Sequence, residues 1–309
     1  MKAIRIPAYH DAPVLEAAPV PKAAAGQVLV RVQAAALNPL ELHLQSGFMA
    51  NYFPLSFPFT LGTDFAGVVE RTGPEVSAWK AGDQVIVRSA PSSGGGFAEF
   101  AAVPAEACVH LPVGMAMAEG AGIPTAAATA YYALFETADL GRGQTILIHA
   151  GAGGVGSFAV QFARKAGARV IATASGDGIV LVKSLGAEQV IDYHNQDFAK
   201  AVADVDVVLD LVGGETQAKS HDVLKRGGRL VSTVMPPDQA LAISRGISAA
   251  MFALDLRNGR LQIVVDAIAR DAIKVIIDRI YPLTRFSEAW LHQQTGRARG
   301  KIVIDMALS

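Results

Sequence analysis

The pattern of hydrophobic and polar positions changes character about a third of the way along the chain. From Lys2 to about Val109 the apolar runs are short and β-like: Val28-Leu29-Val30-Arg31-Val32, Phe65-Ala66-Gly67-Val68-Val69-Glu70 and Gln84-Val85-Ile86-Val87. Gly73-Pro74 and Ala81-Gly82-Asp83 punctuate them as turns, and residues 1–6 read as a further edge strand. Several short strands at this spacing predict a compact, barrel-like all-β unit rather than βαβ repeats. Near Glu119 the rhythm becomes alternating. Residues 145–150, 169–175, 205–209 and 229–233 read as strands, with helices over 154–166 and 179–185, which predicts a parallel, doubly wound sheet. The last stretch mixes a helix (261–270), a β-like run (274–278), a second helix (286–294) and a final strand (301–304), and is expected to return to the first domain. The expected division is a catalytic domain over 1–118, a cofactor domain over 119–253, and a segment over 254–309 that completes the first.

Composition narrows the kind of partner. A chain of 309 residues with a formal net charge of -1 and no Lys/Arg block offers no footprint for nucleic acid or an anionic membrane, so a small molecule is expected. The apolar segment 111–135 is interrupted by Pro112, Glu119 and Pro124, which argues against a membrane span and for a buried interdomain element. The single cysteine, Cys108, rules out a disulfide framework or a multi-cysteine metal site. With no signal-peptide h-region at the start, a reducing cytoplasm is the expected setting.

The most specific chemistry sits at Gly151-Ala152-Gly153-Gly154-Val155-Gly156, which satisfies G-x-G-x-x-G between a predicted strand and a predicted helix. Gly151 suits a tight turn, Gly153 lets a pyrophosphate approach the backbone, and Gly156 lets the helix lie close to the strand. Phosphates would meet the free N–H groups and positive dipole end of that helix, including those of Gly154 and Val155. Val155, Phe158, Ala159, Phe162, Ala163 and Ala166 form its sheet-facing side. The second strand ends in Thr173-Ala174-Ser175, where NAD enzymes place a carboxylate for the ribose 2′-OH. A small hydroxyl there leaves room for a 2′-phosphate, so NADPH is expected. Asp177 is the competing residue: reaching the ribose, it would select NADH.

Ala36-Leu37-Asn38-Pro39, Gly62-Thr63-Asp64-Phe65-Ala66-Gly67-Val68-Val69, Gly96-Phe97-Ala98-Glu99-Phe100, Thr129-Ala130-Tyr131, the Gly151–Gly156 run, Leu185-Gly186-Ala187, Val190-Ile191-Asp192-Tyr193 and Arg299-Gly300-Lys301-Ile302-Val303 follow one another in order along nearly the whole chain. Together they resemble the zinc-free quinone oxidoreductase (zeta-crystallin-like) branch of the medium-chain dehydrogenase/reductase superfamily. The resemblance implies an α/β protein: a GroES-like β-barrel catalytic domain, a Rossmann domain, and a nicotinamide in the cleft between them. It implies that Asn38 and His43 face nicotinamide and substrate, that Thr129 lies near the nicotinamide, and that Ser175 and Tyr193 contact the adenosine end. Two departures stand out. His43 occupies a place where relatives often carry Tyr, and Ser175-Gly176-Asp177-Gly178 lacks the basic residue that relatives often supply.

Simpler readings compete at several positions. Asn38 before Pro39 reads equally well as a turn, His43 as a surface histidine, His149 as a packed strand-end residue, Asp64 as a turn residue and Cys108 as a small buried hydrophobe. The resemblance tips Asn38 and His43 towards function. The expected activity is zinc-independent, NADPH-dependent hydride transfer to a quinone or an α,β-unsaturated carbonyl by a homodimer. The rivals are a catalytically weak NADPH-binding protein with a structural or sensing role, and an NADH-linked carbonyl reductase.

Zinc-dependent relatives place Cys where this chain has Asn38 and a His-Glu pair where it has Thr63-Asp64. No ligand set for a catalytic or structural zinc remains. A conjugated acceptor spreads the incoming charge itself and needs no Lewis acid. Elemental analysis is therefore expected to find no stoichiometric zinc and chelators to leave turnover intact; tightly bound zinc at one per chain would overturn this.

Overall fold

A mainly apolar run, buried at residues 28–30 and again at 34–36, makes Gln27–Ala36 the hub of the first sheet. Asp64–Thr72 pairs antiparallel along one edge of it, while Phe100–Pro104 and Lys301–Asp305 share the other. Ile277–Pro282 extends the sheet beyond Lys301–Asp305, and Gln84–Arg88 and Cys108–His110 extend it beyond Asp64–Thr72. A smaller sheet joins Lys2–Ile6 to Val14–Ala17 and Phe59–Thr60. This computed structural model describes residues 1–308.

The strands close on a core that includes Phe65, Phe97, Phe286, Trp290, Ile302 and Ile304. Each such side chain contributes roughly 1.5–3 kcal/mol by leaving water. Gly67 is forced by packing: a Cβ there would lie 2.3 Å from the Arg31 carbonyl oxygen, beside a register shift between Val32 and Ala34. Ala34, Ala36, Ala66 and Val303 form a patch on which the helix Met117–Gly122 lies through Ala121.

The chain divides into two units: Met1–Thr125 with Leu256–Asp266 and Val275–Ser309, and Ala126–Asp255 with Ala267–Lys274. Residues 119–125, expected in the cofactor domain, belong instead to the first unit, because their helix packs on the alanine patch of its strands.

The second unit holds six parallel strands in the order Gln189–Asp192, Arg169–Ala174, Thr145–Ile148, Val205–Asp210, Leu224–Ser232 and Ser248–Met251. This is the doubly wound Rossmann sheet read from the alternating pattern. Gly154–Lys165 buries its Phe158, Ala159 and Phe162 side, as its periodicity requires.

Two local expectations shift. The β-like run expected over 274–278 is a strand at Ile277–Pro282 instead. Lys274 has left the ladder because its backbone N–H donates to Gln161 Oε1 (2.8 Å) and its carbonyl accepts from Gln161 Nε2 (2.9 Å). Asn38, which reads as a turn before Pro39, and His43 sit at the cap and within a short helix, Pro39–Gln45. Proline at its first position and Glu41 at its third, reaching back to the Asn38 N–H, are the start signals.

Candidate functional site

In the second unit the residues expected to hold a dinucleotide meet at the carboxyl ends of neighbouring strands. Thr145–Ile148 ends in a turn where Ala150 takes a left-handed φ of 50° and the Gly151 N–H donates to Thr173 O (2.9 Å). A Cβ on Gly156 would fall 2.2 Å from the Ala150 carbonyl oxygen, so only glycine lets the helix start this close to the strand. At Gly153 the nearest atom to such a Cβ is Ala150 O at 3.3 Å, and Gly153 gives the helix no side-chain cap. The N–H groups of its first turn, Gly154 and Val155 among them, are thus left without a side-chain cap.

One strand further on, Ser175 Oγ donates to Tyr193 Oη at 2.8 Å, which brings two residues 18 positions apart together beyond Arg169–Ala174 and Gln189–Asp192. Tyr193 is half exposed, with its ring 4.6 Å from that of His194. Asp177 opens the next helix, Asp177–Ser184, and is exposed. Thr129 is buried in the helix Pro124–Tyr132.

In the first unit Asn38 is the centre of a buried polar cluster that sequence reasoning missed. Its Nδ2 donates to Asp64 Oδ2 (3.1 Å), and its Oδ1 accepts from Lys301 Nζ (2.5 Å), which also donates to Leu37 O (2.7 Å). Glu41 accepts from the Asn38 N–H at 2.8 Å and from Thr63 N and Oγ1 at 3.1 and 2.7 Å. Asp64 also accepts from Thr125 N (2.9 Å) and Oγ1 (2.7 Å), and Arg88 Nε lies 3.3 Å from it. Burial, then the neighbouring Asp64, push the Glu41 carboxyl above its usual range, and burial pushes the Lys301 ammonium below its own. Asp64 is thus far more than a turn residue. The signals were present: Glu41 three positions after Asn38 is a capping-box spacing, and Lys301 is a lone cation opening an apolar strand.

His43 lies outside this cluster. It is exposed, and its ring stands 5.2 Å from Phe48. Among the described residues no group of three or more His, Cys, Asp or Glu is placed to hold a metal ion, and no helix is long and apolar enough to cross a membrane.

Residues 24–113 match the alcohol dehydrogenase GroES-like domain, and residues 185–304 match the domain described as zinc-binding dehydrogenase. The chain is 32% identical over 303 residues to a chloroplastic quinone oxidoreductase of Triphysaria versicolor, covering 93% of this chain and 92% of that one. It is 36% identical over 299 residues to 2-methylene-furan-3-one reductase of Solanum lycopersicum, covering 92% and 73%. Quinone oxidoreductase of Escherichia coli, solved with NADPH, superposes with a TM-score of 0.88 at 26% identity, covering 99% of this chain and all of that one, 100%. The chain belongs to the medium-chain dehydrogenase/reductase superfamily of oxidoreductases. Within that class it falls in the zinc-free quinone oxidoreductase branch.

His149 ends the first strand of this motif as a packed residue. It is buried, with Nε2 2.9 Å from Ser220 Oγ and Nδ1 3.3 Å from Thr173 Oγ1. Ser220 donates its own proton to Thr216 O, so Nε2 carries the proton and Nδ1 accepts. Burial pulls its pKa down from 6.5 to about 4. A folded-state pKa below the unfolded one means the stabilisation is complete above pH about 6.5 and is lost as pH falls towards 4, by ~3 kcal/mol in all. Urea unfolding across that window is expected to show the loss in the native chain and a flatter curve in His149→Gln; parallel curves would refute it.

Proposed function

We propose that this protein is a zinc-independent, NADPH-dependent reductase of quinones or α,β-unsaturated carbonyls. The observation that carries the cofactor choice is the Ser175–Tyr193 hydroxyl pair, which stands at the strand end where an NAD enzyme needs a carboxylate. Two neutral hydroxyls accept a 2′-phosphate that a carboxylate would repel. The uncapped helix start at Gly153–Gly156 would take the pyrophosphate, and Thr129 the neighbourhood of the nicotinamide. Solution of the Escherichia coli relative with NADPH supports this reading.

When bound, the reduced cofactor supplies the hydride. The chain's own task is to place the acceptor and to stabilise the negative charge that develops on its oxygen. Asn38 is the group we assign to that oxygen, since an amide N–H is a donor that needs no proton exchange; His43 is the second candidate. A quinone or enone delocalises the charge, so one or two such hydrogen bonds suffice where a simple ketone would need a metal. The named activities of the Triphysaria and Solanum relatives, a quinone oxidoreductase and the reductase of a conjugated furanone, support this acceptor class. The lone Cys108 supports a reducing setting such as the cytoplasm.

Among the described residues the strand Ser248–Met251 has a neighbour on one side only, and it presents an exposed Met251. Pairing of this edge with a second copy would protect it, which supports a homodimer. Sedimentation at micromolar concentration is expected to give the dimer mass, and a monomer would refute it.

The function is tested by oxidation of NADPH and NADH with a quinone, an enone and a simple ketone. Turnover is expected with the conjugated acceptors and NADPH, and His43→Phe is expected to lower it roughly 10- to 100-fold if the imidazole reaches the acceptor. A preference for NADH that Asp177→Asn relieves would show that Asp177, not Ser175, reads the ribose. No turnover with any acceptor, alongside tight NADPH binding, would favour the sensing role.

A further inference from the structure

Asn38 is buried, yet its side-chain amide is not fully used. Oδ1 accepts from Lys301 Nζ, and Nδ2 donates one hydrogen to Asp64 Oδ2. Nδ2 carries two hydrogens, and the hydrogen bond to Asp64 Oδ2 uses one of them. The other can meet an acceptor atom of a ligand.

The two neighbours also fix which way the amide points. An ammonium group can only donate, so it selects the amide oxygen; a carboxylate accepting from Asn38 selects the amide nitrogen. Turning the amide over would set N–H against N–H at Lys301 and oxygen against oxygen at Asp64. Both neighbours are themselves held in place. Lys301 is fully buried at the start of Lys301–Asp305 and is held also by Leu37 O, while Asp64 is held by Thr125 and Arg88. Glu41 fixes the backbone beneath them through the Asn38 N–H.

We propose that Lys301 and Asp64 are positioning residues that lock Asn38 as a donor-only group, so that the site takes an acceptor through a carbonyl or developing alkoxide oxygen and discriminates against acceptors lacking one. This rests on the reading that Asn38 meets the acceptor. Lys301 acts through Asn38 and does not touch the acceptor, so its removal matters only while Asn38 is present.

The test is a double-mutant cycle of Asn38→Ala and Lys301→Met, measuring kcat and KM with a quinone, NADPH affinity by fluorescence, and thermal unfolding for every variant. Each single variant is expected to lose roughly 10- to 100-fold in kcat/KM, mostly in kcat, with NADPH affinity unchanged. Lys301→Met is expected to cost nothing further in the Asn38→Ala background. Losses that multiply, or a Lys301→Met enzyme of native kcat, overturn the positioning role while leaving Asn38 in place. An Asn38→Ala enzyme of native kcat overturns the assignment of Asn38 itself, and the inference with it. Should Lys301→Met not fold, Asn38→Asp decides. It keeps an oxygen for Lys301 but offers no N–H, so turnover as low as in Asn38→Ala supports a donor-only lock, and native turnover refutes it.

Discussion

The first unit depends on keeping charges out of water. Glu41, Asp64 and Lys301 are buried around Asn38, with Arg88 alongside, and an ion in such a place costs several kcal/mol unless its partners are in position. Here they are: the carboxylates accept from hydroxyl, amide and backbone N–H groups, Arg88 lies beside Asp64, and the amide of Asn38 bridges Asp64 and Lys301. The network ties the helix Pro39–Gln45, the strand Asp64–Thr72 and the strand Lys301–Asp305 to one point. Removing Arg88, the cation paired with Asp64, would leave an uncompensated buried charge, a loss of about 3–5 kcal/mol. The apolar strands supply the bulk of the stability, and the polar cluster specifies which way they come together.

The second unit solves a different problem with backbone rather than charge. Its parallel strands all end on the same side, so the Gly151–Gly156 turn, Ser175 and Tyr193 are gathered by topology without being neighbours in sequence. The turn requires close approach, and glycine at 156 is the device that permits it.

Much of this was legible from the sequence because it depends on period and spacing. The switch from short strands to alternating strands and helices reflects which faces are buried, and G-x-G-x-x-G reports a steric need that no other residue meets. The cluster around Asn38 was not legible as a cluster, since Lys301 and Asn38 are 263 positions apart and only the pairing of Lys301–Asp305 with Gln27–Ala36 brings them together. The same limit applied to Lys274, whose departure from the ladder follows from a tertiary contact with Gln161. His43 shows the converse case, for a family position can be matched letter by letter while the side chain stands apart from the polar network next to it.

The separation between Asn38 and Lys301 has a bearing on how the chain is made. A ribosome delivers Asp64, Glu41 and Asn38 early, and only after the whole of Ala126–Asp255 has emerged does it deliver the strand that carries Lys301. At ordinary elongation rates that interval is on the order of ten to thirty seconds. During it the nascent first unit holds two carboxylates in a forming core and an open edge along Ala34–Ala36, which Val303–Asp305 later fills. The Rossmann sheet has every strand it needs before then. The order of assembly is therefore inverted relative to the order of synthesis: the unit begun first is the one finished last.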